Sequence, residues 1–184
     1  EELRTKDLIT DLFNRKYLTT ELDRVVAAAN AGTSDQALIL LELDNYKTVL
    51  DGIGLGNTDL LLGDMANLMK RHLKETDIAG RLGEHTFGII VCERNAEAVA
   101  QLTEALRKAF EERIFEVGKN SINLTISVAG SLIVESASNG NAVLDRASLT
   151  LRTIQAEGGN RARVFDPAAK DKEDAARDAR IAMI

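Results

Sequence analysis

Two places in this chain carry side chains suited to metal chemistry. Glu42 and Asp44 close an apolar run, and Arg81-Leu82-Gly83-Glu84-His85-Thr86-Phe87 forms a polar turn between two strand-like segments. Carboxylates at a strand end are the hard oxygen ligands that Mg²⁺ prefers in octahedral geometry. The turn has the form of a site that has lost its acids. The competing reading is structural: Glu42 and Asp44 solvated or paired with Lys47, and His85 a surface turn residue.

The elements that position these groups follow from periodicity. Asn14–Ala31 carries apolar residues at three- and four-residue steps and predicts a helix closed by Gly32. Ala37–Leu41 is a continuous apolar run, a buried central strand with acids at its carboxyl end. Asn57–Lys74 predicts a helix capped by Asn57 or Thr58, with Met65 and Met69 on its core stripe. Ile78–Leu82 and Phe87–Cys92 predict a hairpin around Gly83-Glu84-His85-Thr86. Ala96–Phe110 is a further helix, Ile122–Val128 a half-exposed alternating strand, and Asn141–Ala156 a helix stopped by Gly158-Gly159. Ala162–Phe165 is a short last strand before Asp166-Pro167. The expected fold class is α/β (α+β), a mixed central sheet flanked by helices.

Composition limits the options. The chain has 184 residues, with 23 Lys and Arg against 29 Asp and Glu and a net charge of −6, which suits one domain and disfavours broad attraction to nucleic acid or anionic membrane. No apolar stretch approaches the ~18 residues of a membrane span, so direct membrane insertion is not expected. The single cysteine, Cys92, excludes an internal disulfide, reads as a buried structural thiol, and fits a cytoplasmic setting. The missing initial Met and the abrupt charged end imply a piece of a longer protein.

Several motifs in order resemble the GGDEF family, whose active members are diguanylate cyclases that join two GTP molecules into cyclic di-GMP on a nucleotidyl cyclase-like fold. Asp7-Leu8-Ile9-Thr10-Asp11-Leu12-Phe13-Asn14-Arg15 is similar to D-x-L-T-G-L-x-N-R, departing at Asp11, and Glu42-Leu43-Asp44-Asn45-Tyr46-Lys47-Thr48-Val49-Leu50-Asp51 resembles D-x-D-x-F-K-x-x-N-D. Ser127-Val128-Ala129 resembles the S-x-G strand, and Gly158-Gly159-Asn160-Arg161 the closing G-R-N-R. Anchored on Arg81 and Phe87, the name-giving pentapeptide falls on Gly83-Glu84-His85-Thr86-Phe87.

The resemblance implies a degenerate site. His85 replaces a metal-binding acid, Glu84 puts a side chain where the turn approaches phosphate, and Glu42 is one methylene longer than the family's first metal-binding Asp. Leu50 stands where Asn reads guanine, while Asp59 keeps the second guanine contact. The family's phosphate-binding Lys and Arg become Gln155 and Gly159, and Lys47 alone survives. Lys74-Glu75-Thr76-Asp77 occupies the R-x-x-D product-inhibition site, with Lys74 in place of Arg and Asp77 retained. The implied protein is a pseudoenzyme without a cofactor, resembling degenerate dual GGDEF–EAL proteins of the FimX type that regulate type IV pili. Residues 1–6 would end an upstream linker helix from a PAS-like sensor, 7–166 form the domain, and 167–184 a charged helical linker towards an EAL domain. A homodimer or another protein partner also fits. Two alternatives stay open: an allosteric GTP-binding module without turnover, and residual cyclase activity supported by Mg²⁺ or Mn²⁺.

Overall fold

The apolar run that ends in Glu42 is the middle strand of the sheet, so the acid end of that strand is fixed from both sides. The computed structural model describes residues 5–30, 35–134, 137, 139–167, 177 and 179–181. Its helices are α1 (Arg15–Asn30), α2 (Tyr46–Ile53), α3 (Leu55–Lys70), α4 (Ala96–Glu112) and α5 (Gly140–Ala156). Its strands are β1 (Gln36–Leu43), β2 (Ile78–Arg81), β3 (Thr86–Val91), β4 (Ile114–Val117), β5 (Asn120–Asn123), β6 (Ile126–Ile133) and β7 (Ala162–Phe165). One sheet runs in the order β2-β3-β1-β6-β7, and β4-β5 is a separate hairpin. All neighbours in the large sheet are antiparallel except β6 and β7, which are parallel. This is the expected mixed sheet with helices on its faces.

Strand alternation divides the core in two. Ala37, Ile39, Leu41 and Leu43 pack with Leu61, Met65 and Met69 of α3 and Leu106 and Phe110 of α4. Leu38 and Leu40 pack with Leu18 and Val26 of α1 and Leu151 and Ile154 of α5. Glu42 is the next even position, so its carboxylate belongs to the α1/α5 side. Coverage on both faces explains why β1 reads as unbroken apolar sequence. Asparagine side chains accept the early backbone N–H groups of three helices: Asn14 from Tyr17, Asn95 from Ala98 and Asn139 from Ala142, each at 2.9 Å.

Several expected boundaries move. The helix predicted from Asn57 begins at Leu55 after Gly54 and ends at Lys70. Thr58 and Asn57 do not cap it; their side chains donate back to the carbonyls of Gly54 and Ile53. The predicted Ile122–Val128 strand is two strands with a break at Leu124-Thr125, and β6 is buried along nearly its whole length because helices cover it. Helix α2 and strand β4 were not read from the sequence. The first has eight residues, none of them fully buried; the second depends on the turn at Gly118, whose φ is +60°. Cys92 lies just past β3 and is half-buried rather than buried. The Gly32 helix stop, residues 1–4 of the opening linker, and most of the 167–184 linker fall outside the described residues; Arg177 and residues 179–181 are helical. Among the described residues no helix is long and apolar enough to cross a membrane.

Helix α1 sits close on the edge of the sheet at Gly80. The Phe13 backbone pairs with the outer edge of β2 (Phe13 N–H to Ala79 O, 3.1 Å; Arg81 N–H to Phe13 O, 2.9 Å). A Cβ at Gly80 would lie 2.9 Å from Leu18 Cβ and 3.1 Å from Phe13 O, neither of which can swing away. Gly80→Ala is therefore expected to destabilise the fold by about 1–3 kcal/mol through overpacking, read as a lower urea midpoint at unchanged slope; an unchanged midpoint would contradict this close packing.

Candidate functional site

Strand β1 delivers Glu42 between Thr86 of β3 and Ser127 of β6, its register partners. The residue is only 4 % exposed, and a carboxylate so placed needs compensation. Thr86 Oγ1 donates to Oε2 at 2.6 Å. From α5, Arg152 Nη1 donates to Oε1 at 2.9 Å and Gln155 Nε2 to the same oxygen at 2.8 Å. Arg152 and Gln155 lie three apart on one helix face, and Gln155 Oε1 in turn accepts from Arg152 Nη1 at 2.6 Å. His85 Nε2 stands 3.5 Å from Oε1, with its ring stacked on Tyr46 at 4.2 Å and 4°. Burial alone would raise the Glu42 carboxyl, but the interactions with His85, Arg152, Thr86 and Gln155 outweigh it and hold the group well below the ordinary carboxylate range.

Asp44 is held as firmly. It accepts from Thr125 Oγ1 and Ser127 Oγ, each at 2.7 Å, and from the Asn160 backbone N–H at 2.9 Å. Gly158 and Gly159 make this approach possible: Gly159 has φ +72°, and a Cβ there would stand 2.8 Å from an Asp44 oxygen. Neither acid pairs with Lys47, and neither is simply solvated, which corrects the structural reading of these two residues. His85 is likewise no free surface residue; its Nδ1 is buried without a partner among the described residues.

The turn at Gly83 is fastened by Arg81. Its Nε donates to Gly83 O at 3.1 Å, Nη2 to Glu84 O at 2.7 Å, and Nη1 to Asp7 at 3.3 Å. Asp7 also accepts from the backbone and hydroxyl of Thr10. One arginine thus ties the opening segment of the chain to the polar turn. Phe87 is fully buried in β3 beside Leu41.

A cavity of about 420 Å³ is lined by Glu42, Asp44, Lys47, His85, Gln155 and Gly159 among others. The structure therefore brings these six sequence-selected residues together. Lys47 is exposed, and no ion pair engages it among the described residues. Leu50 on α2 and Asp59 on α3 do not line this cavity. Lys74 and Asp77 line a different one, of about 350 Å³. There the Asp77 side chain is fully buried and already occupied: Arg94 Nη1 reaches both its oxygens at 2.8 Å, while the N–H groups of Lys74 and Cys92 bond it at 2.8 and 3.2 Å.

The acids do not fit a divalent cation as they stand. A guanidinium already lies against Glu42, and the Asp44 oxygens already accept from two hydroxyls and a backbone N–H. Among the described residues no group of three or more His, Cys, Asp or Glu is disposed to hold a metal ion. Sequence reasoning missed Arg152 and Arg94, the counter-ions of Glu42 and Asp77. The three-residue step from Arg152 to Gln155 was a usable signal, but what that face meets is decided by packing.

A mixed five-stranded sheet with helices on both faces matches the fold of solved GGDEF domains. The family described as "Diguanylate cyclase, GGDEF domain" matches residues 4–161, and the chain belongs to it. It is 27% identical to the response regulator PleD of Caulobacter vibrioides over 161 residues, covering 86% of this chain and 36% of PleD. It is 30% identical to the diguanylate cyclase DgcP of Pseudomonas aeruginosa over 158 residues, covering 86% of this chain and 23% of DgcP. The chain thus spans about a third or less of these curated relatives. Among solved structures, the FimX GGDEF domain of Pseudomonas aeruginosa superposes with TM-score 0.82 at 25% identity, over 88% of this chain and 99% of that one. The GGDEF domain of DgcB from Caulobacter crescentus, in complex with c-di-GMP, gives 0.82 at 27% identity, over 87% and 92%.

The depressed Glu42 carboxyl has a pH consequence of definite sign. Its contribution to stability is fully present above the unfolded carboxylate value of about 4.3 and is lost as pH falls towards the depressed folded value. Glu42→Gln is expected to be less stable than wild type at neutral pH, with the gap narrowing progressively below about pH 4.3 in denaturant melts. A gap independent of pH would show that the charge of Glu42 contributes nothing.

Proposed function

We propose that this domain is a catalytically inactive member of its family, a pseudoenzyme serving as a structural and regulatory module in a cyclic di-GMP signalling protein. One observation carries the reading. Glu42, which stands where the resemblance puts a metal-binding acid, is closed off by Arg152, Gln155, Thr86 and His85 of the same chain. Attack of a ribose hydroxyl on an α-phosphate needs a divalent ion to neutralise the triphosphate, and a guanidinium against the acid opposes that ion.

The surrounding positions agree. Leu50 cannot hydrogen-bond a purine edge, which leaves guanine groups unpaired at about 1–3 kcal/mol each. Gln155 bonds Glu42 where a phosphate-binding lysine is expected, and Gly159 has no side chain to offer. At the product-inhibition position, Asp77 is committed to Arg94. The module's role is then mechanical. The likeness to the FimX GGDEF domain supports a dual protein in which this domain sits between a PAS-like sensor and an EAL module, with type IV pili as an output. The Asp7–Arg81 contact offers a route from the opening segment to the turn at Gly83 and Glu84.

A second reading, GTP held without turnover, is favoured by Lys47, which no ion pair engages among the described residues, at the cavity of about 420 Å³. Calorimetric titration of the purified chain with GTP and with cyclic di-GMP, in Mg²⁺ and in Mn²⁺, separates the readings when each mixture is checked chromatographically. The expected result is no cyclic di-GMP from GTP and no saturable heat. Saturable GTP binding without product would favour the receptor, and product would overturn the pseudoenzyme.

A further inference from the structure

Arg152 belongs to none of the motifs quoted above, yet it makes the contact that closes off Glu42. Its side chain is 61% exposed, while that of Glu42 is 5% exposed. An arginine so exposed gains little from an ordinary surface ion pair and loses side-chain freedom in making one. This one is held by two acceptors: Nη1 is shared between Glu42 Oε1 at 2.9 Å and Gln155 Oε1 at 2.6 Å, and Nη2 lies 3.5 Å from Glu42 Oε2. The guanidinium therefore lies against a buried carboxylate, and that carboxylate's residue lines a cavity with Asp44 and His85.

We propose that Arg152 is the specificity-determining residue of this site: its guanidinium is a built-in counter-ion that satisfies the acid end of β1 and excludes divalent cations from it. The inference rests on the reading of the domain as a pseudoenzyme and names the residue that enforces it. The chemistry is a substitution of one cation for another. A buried carboxylate must be neutralised, and here the neutralising charge comes from α5 of the same chain. With Arg152 in place, an incoming cation meets like charge within a few ångströms. Without it, Glu42 keeps its bonds from Thr86 and Gln155 but carries uncompensated charge. Oxygens of Glu42 and a nitrogen of His85 then border one cavity, a mixed donor set that suits Mn²⁺ better than Mg²⁺.

Mn²⁺ binding to the purified chain, without nucleotide, tests this through the electron paramagnetic resonance signal of the free ion. Arg152→Met keeps an apolar stem and removes the charge, with Arg152→Gln as a second removal and circular dichroism reporting folding. Arg146→Met removes the same charge elsewhere on α5, where Arg146 lies over the Phe165 ring at 4.3 Å. The Arg152 variants are expected to bind one Mn²⁺ at least about tenfold more tightly than wild type, the order for removing a nearby unit charge from a partly screened site. Adding Glu42→Gln should abolish the gain, and Arg146→Met should show none. Equal binding by wild type and the Arg152 variants would overturn the proposal, as would a gain that survives loss of Glu42 or appears equally with Arg146→Met. Failure of the pseudoenzyme reading is separately visible, as cyclic di-GMP made by the wild-type chain from GTP.

Discussion

A carboxylate at the buried end of the central strand is the constraint around which this domain is arranged. Glu42 is fixed in place by pairing on both sides, with β3 and with β6, so it cannot swing out to water. An unpaired charge there would cost several kcal/mol, and three separate elements contribute to prevent that. Strand β3 brings Thr86, the turn before it brings His85, and α5 brings Arg152 and Gln155. The position of α5 on the sheet is thus coupled to the chemistry of one side chain.

The same solution recurs at Asp44 and at Asp77. Asp44 is answered by the Thr125 hydroxyl from the β5–β6 break, the Ser127 hydroxyl of β6 and the Asn160 backbone N–H after the glycine turn. Asp77 is answered by Arg94 and two backbone N–H groups. Each acid sits where a ligand-binding role is suggested by resemblance, and each is satisfied from within the chain. Internal donors to each acid tie neighbouring elements of the fold to one another. The two arginines do this more firmly than lysines would, since a planar fork reaches a carboxylate in defined geometry.

Much of this was legible in the sequence. The apolar run to Leu41 announced a buried central strand, the helical stripes announced much of the core, and the order of motifs selected Glu42, Asp44, Lys47, Leu50, Asp59, His85, Gln155 and Gly159, of which all but Leu50 and Asp59 line one cavity. These features are local or periodic, and a chain carries its local and periodic signals openly. The short helix α2 and strand β4 were not legible: eight residues without a buried stripe give too little periodicity to register, and β4 depends on the turn at Gly118.

The partners of the acids were decided by tertiary structure alone. Nothing in the spacing of Glu42 and Arg152, which are 110 residues apart, says that they touch. That follows from α5 lying on the even-numbered face of β1, a result of packing two apolar surfaces. Likewise the Arg94 contact with Asp77 joins residues across the β2–β3 hairpin. The sequence determined which residues could carry charge at the strand end and which expected ligands are missing there. The fold determined whether that charge faces a ligand or another side chain, because ion pairing depends on distance and desolvation, and both come into being only when the elements pack.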